Sequence, residues 1–482
     1  MSNVSALTPP SRAPLPWLIQ GGMGVAISGW PLARAVASTG QLGVVSGTAI
    51  DTVFIRRLQD NGIDSSLRAV LDRFPLGDVV QEVEQRFAKS LRPTNEPYLV
   101  TPMLTHRSPQ KSIDLLVLAA FVEVALAKEG HEGPVGINLL TKIQVPTAPT
   151  LLGAMLAGVD YVMMGAGMPT HIPGMLDELA LGNAVEVPFG LVGPNDGPAP
   201  ILHFDPSRYL ASATLRRPRF IGIVSSHVLA TALAKRSNGK VDGFVVERPS
   251  AGGHNAPPRG QLVLASDGSP EYGERDRVDF ESIAKLDLPF WIGGGVTCAK
   301  DVEEALDLGA TGVQVGTLFA YCNESGMDPL LRERVIAAVR RGPIEVKTSM
   351  QASSTGYPFK VTSVEGTISQ ESVYEGRERK CDLGYLRDAY VTPSGSLGYR
   401  CTGEPETAFV RKGGSLEDTQ GVTCLCNGLM ATCGLGQIRS GHQEPPIVTS
   451  GDHINDIRNL LATGESFSAS DVIKFLQPVS RT

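Results

Sequence analysis

The sequence of 482 residues predicts an α/β protein built as a (β/α)8 barrel with a C-terminal extension. Eight short apolar runs recur between residues 16 and 347, and most of them are followed by a turn that contains glycine and then by a helical pattern. Most of the runs are apolar throughout, as expected for parallel strands that are buried on both faces.

The predicted strands are WLIQ (17–20), LGVVS (42–46), VGINLL (135–140), YVMMG (161–165), FIGIVSS (220–226), GFVVE (243–247), PFWIGG (289–294) and GVQVGT (312–317). We expect a flexible arm over residues 1–15, the barrel over 16–347 and the extension, with terminal helices, over 348–482. Loop insertions are expected near 50–130 and 187–215, the second with a hairpin. YLVTP, within residues 97–104, is an alternative strand that would shift the strand numbering but keep the barrel.

Composition restricts the partners that the chain can have. The formal net charge is −7 at pH 7 and lysine and arginine do not cluster, so we expect no nucleic-acid partner. The N-terminus lacks the basic start and apolar core of a secretory signal. The most apolar long segment, residues 113–130, contains charged residues and is short for a bilayer, so we expect a buried helix and no membrane partner. Seven cysteines, an odd number, suit a reducing cytoplasm.

Glycines follow nearly every predicted strand, at the end of the barrel where active sites lie. Gly293, Gly294 and Gly295 follow the seventh strand, and Gly316 and Thr317 follow the eighth. At these two positions such barrels bind phosphate through backbone N–H groups and a helix N-terminus. We therefore expect a phosphate site there, although a tight turn would explain each loop taken alone. No GxGxxG follows the first strand, so a Rossmann dinucleotide site is not expected.

Six motifs carry a resemblance to a known family. They are IQGGMG, VGINLL, MMGAGMPT, ERPSAGGHNAPPRG, WIGGGVT and GVQVGTLF, in this order within residues 16–360. Together they resemble the nitronate monooxygenase (2-nitropropane dioxygenase) family and its relatives, the flavin-dependent enoyl-acyl-carrier-protein reductases. The tail beyond residue 360 resembles the long-chain branch of the first family. Both groups are FMN-binding TIM barrels, so the resemblance implies FMN as the carrier of the phosphate.

The resemblance also implies which residues contact the cofactor. The isoalloxazine ring would be lined by Gln20, Gly21, Gly22 and Met23. Asn138 would form a hydrogen bond with the polar edge of this ring. The other positions lie alongside the cofactor or at its phosphate: Glu247, Gly252, Gly253, Gly293, Gly294, Gly295, Gly316 and Thr317. Gln314, in an otherwise apolar strand, either points to the cofactor or satisfies a buried neighbour.

His254 is the candidate catalytic residue. It follows Gly252 and Gly253 at the end of the sixth predicted strand, and the resemblance implies a position beside the flavin N5. An imidazole near neutrality can remove the acidic proton next to a nitro group, or supply a proton when a hydride reaches an enoyl group. The alternative is a structural histidine that is bonded to a backbone carbonyl.

Other candidate residues have weaker patterns. His171 and His227 also follow strands, and we expect turn or cap residues there. Arg259 either supplies a cation near the mouth of the site, for a nitronate or a pantetheine phosphate, or is a solvated loop residue. The cysteines of the extension lack a C-x2-C pair, so we expect buried thiols and no metal site; they are Cys381, Cys401, Cys424, Cys426 and Cys433. Cys298 is expected to pack rather than react.

The expected function is that of an FMN-dependent oxidoreductase that uses O2 to convert nitronates or nitroalkanes into carbonyl compounds and nitrite. One alternative is an NAD(P)H-dependent flavin enoyl-thioester reductase that acts in trans in fatty-acid or polyketide synthesis. An alternative from another class is a flavin-bearing scaffold or interaction module. The expected partners are a small-molecule substrate, O2, and either a second copy of the chain or an acyl-carrier protein.

Overall fold

The computed structural model describes residues 14–193, 200–210 and 214–479. Most of the predicted N-terminal arm, residues 1–13, lies outside this part of the chain. The described strands are β1 Leu18–Gln20, β2 Gly43–Ser46, β3 Val135–Leu140, β4 Tyr161–Gly165, β5 Val185–Pro188, β6 Ile201–Phe204, β7 Arg219–Val224, β8 Gly243–Glu247, β9 Phe290–Gly293, β10 Gly312–Val315, β11 Val346–Ser349, β12 Phe359–Thr362, β13 Asp388–Val391, β14 Leu397–Arg400, β15 Ile438–Arg439 and β16 His442–Gln443.

The described α-helices are α1 Trp30–Ala37, α2 Ile50–Asn61, α3 Ser65–Leu71, α4 Gly77–Phe87, α5 Gln110–Ala127, α6 Thr147–Leu156, α7 Ile172–Leu181, α8 His227–Arg236, α9 Phe280–Ala284, α10 Ala299–Asp307, α11 Thr317–Ala320, α12 Pro329–Arg341, α13 Glu371–Gly376, α14 Glu406–Arg411, α15 Leu425–Thr432, α16 Ile457–Leu460 and α17 Ala469–Leu476. Short 3-10 helices cover Ser207–Tyr209, Glu274–Asp276, Glu417–Thr419, Ile454–Asp456 and Leu461–Thr463. Within the described ranges, no helix has the length and apolar character needed to cross a membrane.

Eight strands form one parallel sheet in the order β1-β10-β9-β8-β7-β4-β3-β2. The first and last strands of this order meet through a parallel bridge between Ile19 and Leu42, where the Gln20 N–H donates to Leu42 O at 2.9 Å. This contact brings the sheet round into a barrel. The eight strands are those predicted from the sequence, and the (β/α)8 fold is therefore confirmed.

Apolar side chains fill both faces of the barrel sheet, because successive side chains of a strand point to opposite faces. A cluster of buried side chains occupies the interior: Ile19, Leu42, Val44, Tyr161, Met163, Ile221, Val245 and Trp291. The outer face packs against the helices, among them α5, which is buried along most of its length as predicted for residues 113–130. A polar side chain at an interior position is therefore an exception that needs a partner.

Both predicted insertions contain secondary structure. The first holds α2, α3 and α4 ahead of α5, and residues 97–104 form a loop, so the alternative strand at YLVTP is wrong. The second holds β5 and β6, which pair as an antiparallel hairpin with Val185 opposite Phe204. Gly190 N donates to Gln144 Oε1 at 2.8 Å, which ties this hairpin to the loop after β3.

The tail packs against the barrel. The predicted boundary near residue 348 falls inside β11, which pairs with β12, and that boundary stays a prediction. At the end of the chain, α17 contacts α1 and α10, and its Val472 and Leu476 are fully buried. The hydroxyl of Ser468 accepts a bond from Asp471 N and caps this helix. The tail is thus part of the same packed molecule as the barrel.

Candidate active site

A cavity of about 640 Å³ opens at the carboxyl ends of the barrel strands. It is lined by the end of β3, by the loops after β1, β2, β4, β7, β8, β9 and β10, and by parts of the tail. Both its volume and its place at this end of the barrel are typical of small-molecule sites. The predicted residues that line it are Gly21, Gly22, Met23, Asn138, Glu247, Gly252, Gly253, His254, Gly294, Gly295, Gln314, Gly316 and Thr317. Gln20 and Gly293 do not line it.

Gln20 lies outside the cavity lining, and its side chain is fully buried. Its amide nitrogen donates to Gly21 O at 2.5 Å and to Ser28 Oγ at 2.7 Å, and its Oε1 accepts from Val44 N at 3.0 Å. These bonds join the loop after β1 to β2. Gln20 therefore positions the loop, and its polar atoms are already engaged without a ligand.

Three polar side chains occupy interior positions at the carboxyl end of the barrel. Glu247 and Gln314 both pair in register with Gly293, and Asn138 lies in β3. Asn138 Nδ2 donates to Gly22 O at 3.1 Å. Asn138 Oδ1 and Gln314 Oε1 are buried and have no hydrogen-bond partner among the described residues. Asn255 Oδ1, in the same lining, is a third such acceptor. An unsatisfied buried acceptor costs about 1–3 kcal/mol, so three of them at one cavity indicate a ligand with N–H or O–H groups.

Glu247 is the acidic side chain of this cavity. Burial raises the pKa of Glu247 to about 7, because the surrounding protein disfavours the charged carboxylate. Near neutral pH, a substantial fraction of Glu247 is therefore a carboxylic acid that can donate a hydrogen bond to a ligand.

Two glycines shape the turn after β9. Gly294 and Gly295 are both left-handed, with φ of +89° and +77°. A Cβ on Gly294 would lie 2.9 Å from Ala251 N, and a Cβ on Gly295 would lie 3.1 Å from Ser250 Oγ. Glycine is needed here for both the backbone angle and the close approach of the loop after β8. The approach leaves backbone rather than side chain facing the cavity.

His254 lines the cavity and is held by the tail. Its Nε2 lies 2.7 Å from Ser353 Oγ, and its ring meets the ring of Phe359 edge-on, with centroids 4.9 Å apart. The preceding backbone is paired as well, since Lys360 N donates to Gly253 O at 2.9 Å. The contacts that orient this histidine therefore come from residues about a hundred positions further along the chain.

The environment of His254 keeps its imidazole neutral. Burial, and to a smaller extent the charge of Lys142, lowers the pKa of His254 to about 4. Lys142 Nζ donates to Thr355 O, and Thr355 Oγ1 lies 2.7 Å from Ser353 Oγ. A neutral imidazole at pH 7 has one ring nitrogen that can accept a proton.

Several residues of the tail line the cavity and were not predicted from the sequence: Tyr357, Phe359, Leu429, Thr432, Ile447, Thr449, Ser450, Gly451 and His453. The available signal was two clusters of small and polar residues, ASSTGY at 352–357 and TSGDH at 449–453. Such clusters are typical of ordinary loops, so they do not by themselves indicate a site.

The remaining candidates from the sequence lie outside the cavity lining. His171 and His227 occupy the starts of α7 and α8, and Cys298 precedes α10. Arg259 Nη2 donates to Ser225 O at 3.2 Å, beside the loop after β7. These positions agree with the expectation of turn and cap residues for the two histidines.

All seven cysteines are free thiols. Burial raises the pKa of the four that lie near one another in the tail, Cys381, Cys401, Cys424 and Cys426. No group of three or more His, Cys, Asp or Glu side chains within the described ranges is arranged to hold a metal ion. Buried thiols with a raised pKa are poor nucleophiles.

Comparison with known proteins gives a partial family match. The nitronate monooxygenase family model matches residues 201–371. A probable nitronate monooxygenase of Bacillus subtilis is 31% identical over 118 residues, which cover 24% of this chain and 31% of the relative. The inosine-5'-monophosphate dehydrogenase of Helicobacter pylori is 32% identical over 116 residues, which cover 24% of this chain and 23% of that relative.

Among solved structures, FabK from Thermotoga maritima superposes with a TM-score of 0.44 at 16% identity, over 96% of this chain and 91% of that chain. The fold assignment depends on the strand pairing of the barrel. This chain spans less than a third of the length of either curated relative. Residues 201–371 nevertheless match the nitronate monooxygenase family, which confirms the resemblance found in the sequence.

Proposed function

We propose that this chain is an FMN-dependent oxidoreductase that uses O2 to convert nitronates, and nitroalkanes deprotonated in its cavity, into carbonyl compounds and nitrite. One observation carries the proposal: His254, a neutral imidazole, lines the same cavity as three buried acceptors that no described residue satisfies. The family match of residues 201–371 supports the same reaction class.

The residues at the cavity fit a flavin. Asn138 Oδ1 and Gln314 Oε1 can accept hydrogen bonds from the polar edge of a flat ring, and glycines on the surrounding loops leave room beside it. The turn of Gly294 and Gly295 offers backbone groups to a phosphate. When bound, a flavin supplies the electron transfer between the carbon acid and O2.

His254 is assigned the proton transfer. In a neutral nitroalkane, the C–H bond next to the nitro group breaks, its electron pair moves into the nitro group, and the proton passes to the imidazole. The products of this step are a nitronate anion and an imidazolium cation. Their attraction offsets the burial that otherwise disfavours the charged ring. Ser353 holds Nε2, so the ring keeps its orientation during the transfer.

The test compares a nitroalkane with its preformed nitronate in wild type and in His254→Ala, by oxygen consumption. We expect kcat/KM for the nitroalkane to fall by about 10²-fold or more, and kcat/KM for the nitronate to fall far less, because only the nitroalkane must lose a proton. His442→Ala, at an exposed histidine of the tail, is the matched control. Equal losses with both substrates would contradict the assignment of His254, and wild type that turns over neither substrate would contradict the function.

A second candidate is the NAD(P)H-dependent reduction of an enoyl thioester. It is favoured by the exposed apolar side chains of Leu262, Val263 and Leu264, on the loop that follows His254. An exposed apolar group on a loop that begins in the cavity lining suits an acyl chain or its carrier. Anaerobic mixing with NADPH separates the two functions. Rapid bleaching of the flavin by NADPH, followed by reoxidation of the flavin when an enoyl thioester is added, would support the reductase and contradict the first proposal.

A further inference from the structure

Residues 449–453 of the tail return to the loops at the carboxyl end of the barrel. Gly451 N donates to Thr317 Oγ1 at 2.9 Å, and Asp452 N donates to Ser250 O at 3.1 Å. A Cβ on Gly451 would lie 2.7 Å from Ser250 O, so this approach requires glycine. These contacts hold the segment against the loops after β8 and β10.

The segment ends at His453, whose side chain is half exposed and lines the cavity. Its Nε2 is 3.8 Å from the position that a Cβ on Gly295 would occupy, in the left-handed turn after β9. On the opposite edge of the ring, Nδ1 lies 3.4 Å from Asp456 Oδ2. Asp456 therefore occupies the Nδ1 edge of the ring, which leaves the Nε2 edge beside the glycine turn.

His453 is one of two basic side chains among the described residues that line the cavity. Lysine and arginine are absent from the described residues that line it. The ionisable side chains in the lining are Glu247, His254, Tyr357 and His453. Lys360 lies next to the lining residue Phe359, but its Nζ is engaged by Thr348 Oγ1 at 2.8 Å and by Asp452 Oδ1 at 2.6 Å. Of the two histidines in the lining, His453 is the one beside the glycine turn, so an anion bound there meets its Nε2 edge.

We infer that His453 binds the phosphate of the flavin and makes the cavity select FMN over riboflavin. The inference rests on the proposed flavin site and adds a residue of the tail to it. A phosphate monoester carries a charge of about −1.5 to −2 at pH 7 and offers three strong acceptor oxygens to a ring N–H. Nε2–H then donates a charge-assisted hydrogen bond to a phosphate oxygen, while the turn of Gly294 and Gly295 supplies backbone groups.

The experiment titrates flavin-free protein separately with FMN and with riboflavin, and measures the dissociation constants from the quenching of flavin fluorescence. His453→Ala should weaken FMN binding by about tenfold or more, in keeping with the loss of a hydrogen bond to a charged group, and leave riboflavin binding unchanged. His453→Gln, which keeps an N–H donor but not the imidazole ring, should give an FMN dissociation constant between those of wild type and His453→Ala. His442→Ala, at an exposed histidine, should match wild type with both flavins.

Two results would overturn the inference while leaving the flavin site intact. One is an affinity for FMN that is the same in His453→Ala and wild type. The other is an equal loss of both affinities in His453→Ala, which would show that the side chain supports the loop and does not recognise phosphate. If wild type binds neither flavin, the proposed function itself fails, and the inference fails with it.

Discussion

Replacement of Glu247 by glutamine should change the pH dependence of stability in a defined direction. Burial raises the pKa of Glu247 to about 7, against the ordinary value of 4.5. Between these two pH values the folded protein keeps a proton that the unfolded chain has lost, so the free energy of unfolding falls as the pH rises. A difference of about 2.5 pKa units corresponds to about 3 kcal/mol, and water in the cavity would screen the carboxylate and reduce this figure.

The assay is urea unfolding of the flavin-free protein at pH 5 and at pH 8, followed by tryptophan fluorescence. Glu247→Gln should be close to wild type at pH 5 and more stable by up to about 3 kcal/mol at pH 8, because glutamine does not ionise. Glu375→Gln makes the same chemical change at an exposed position in α13 and should keep the pH profile of wild type. Parallel profiles for wild type and Glu247→Gln would refute the reasoning.

Three further predictions concern the site and the tail. Ser353→Ala removes the hydroxyl 2.7 Å from His254 Nε2, so nitroalkane turnover should fall by up to about tenfold in an oxygen-consumption assay, with little change in the thermal midpoint. Gly22→Ala would place a Cβ 2.2 Å from a side-chain carbon of β3, so stability should fall by about 1–3 kcal/mol and flavin binding should weaken in a fluorescence titration. Gly77→Ala, where a Cβ has nothing within 4 Å, should change neither quantity. Leu476→Ala, at a fully buried position of α17, should lower the free energy of unfolding by about 2–5 kcal/mol, and a loss below about 1 kcal/mol would argue against that packing.

The strands and much of the cavity lining were predictable because their signals are local. A strand buried on both faces must be apolar along its whole length, and this pattern can be read without knowing which strands pair. Asn138, Glu247 and Gln314 stand out as polar residues within such runs, and all three line the cavity. The turn that contains Gly294 and Gly295 was predictable for the same reason, since repeated glycine marks backbone angles that other residues avoid.

Side-chain engagement was not predictable in the same way. The resemblance implies that Gln20 contacts the cofactor, and this stays a prediction; the structure adds that its amide is bonded to the loop after β1 and to β2. A sequence motif specifies which residue stands at the end of a strand. Which of its atoms remain free depends on neighbours in space, and these include Ser28 and Val44 from other elements.

By itself, the sequence determined the barrel, its eight strands and the loops where the cavity opens, because periodicity and glycine turns are properties of short segments. Only the tertiary structure decided that the tail completes the cavity. Ser353 reaches His254 across 99 positions of sequence, and Thr449 Oγ1 accepts from Gly253 N across 196 positions. Loop residues that act through such distant contacts carry no period, so their role depends on the path of the folded chain.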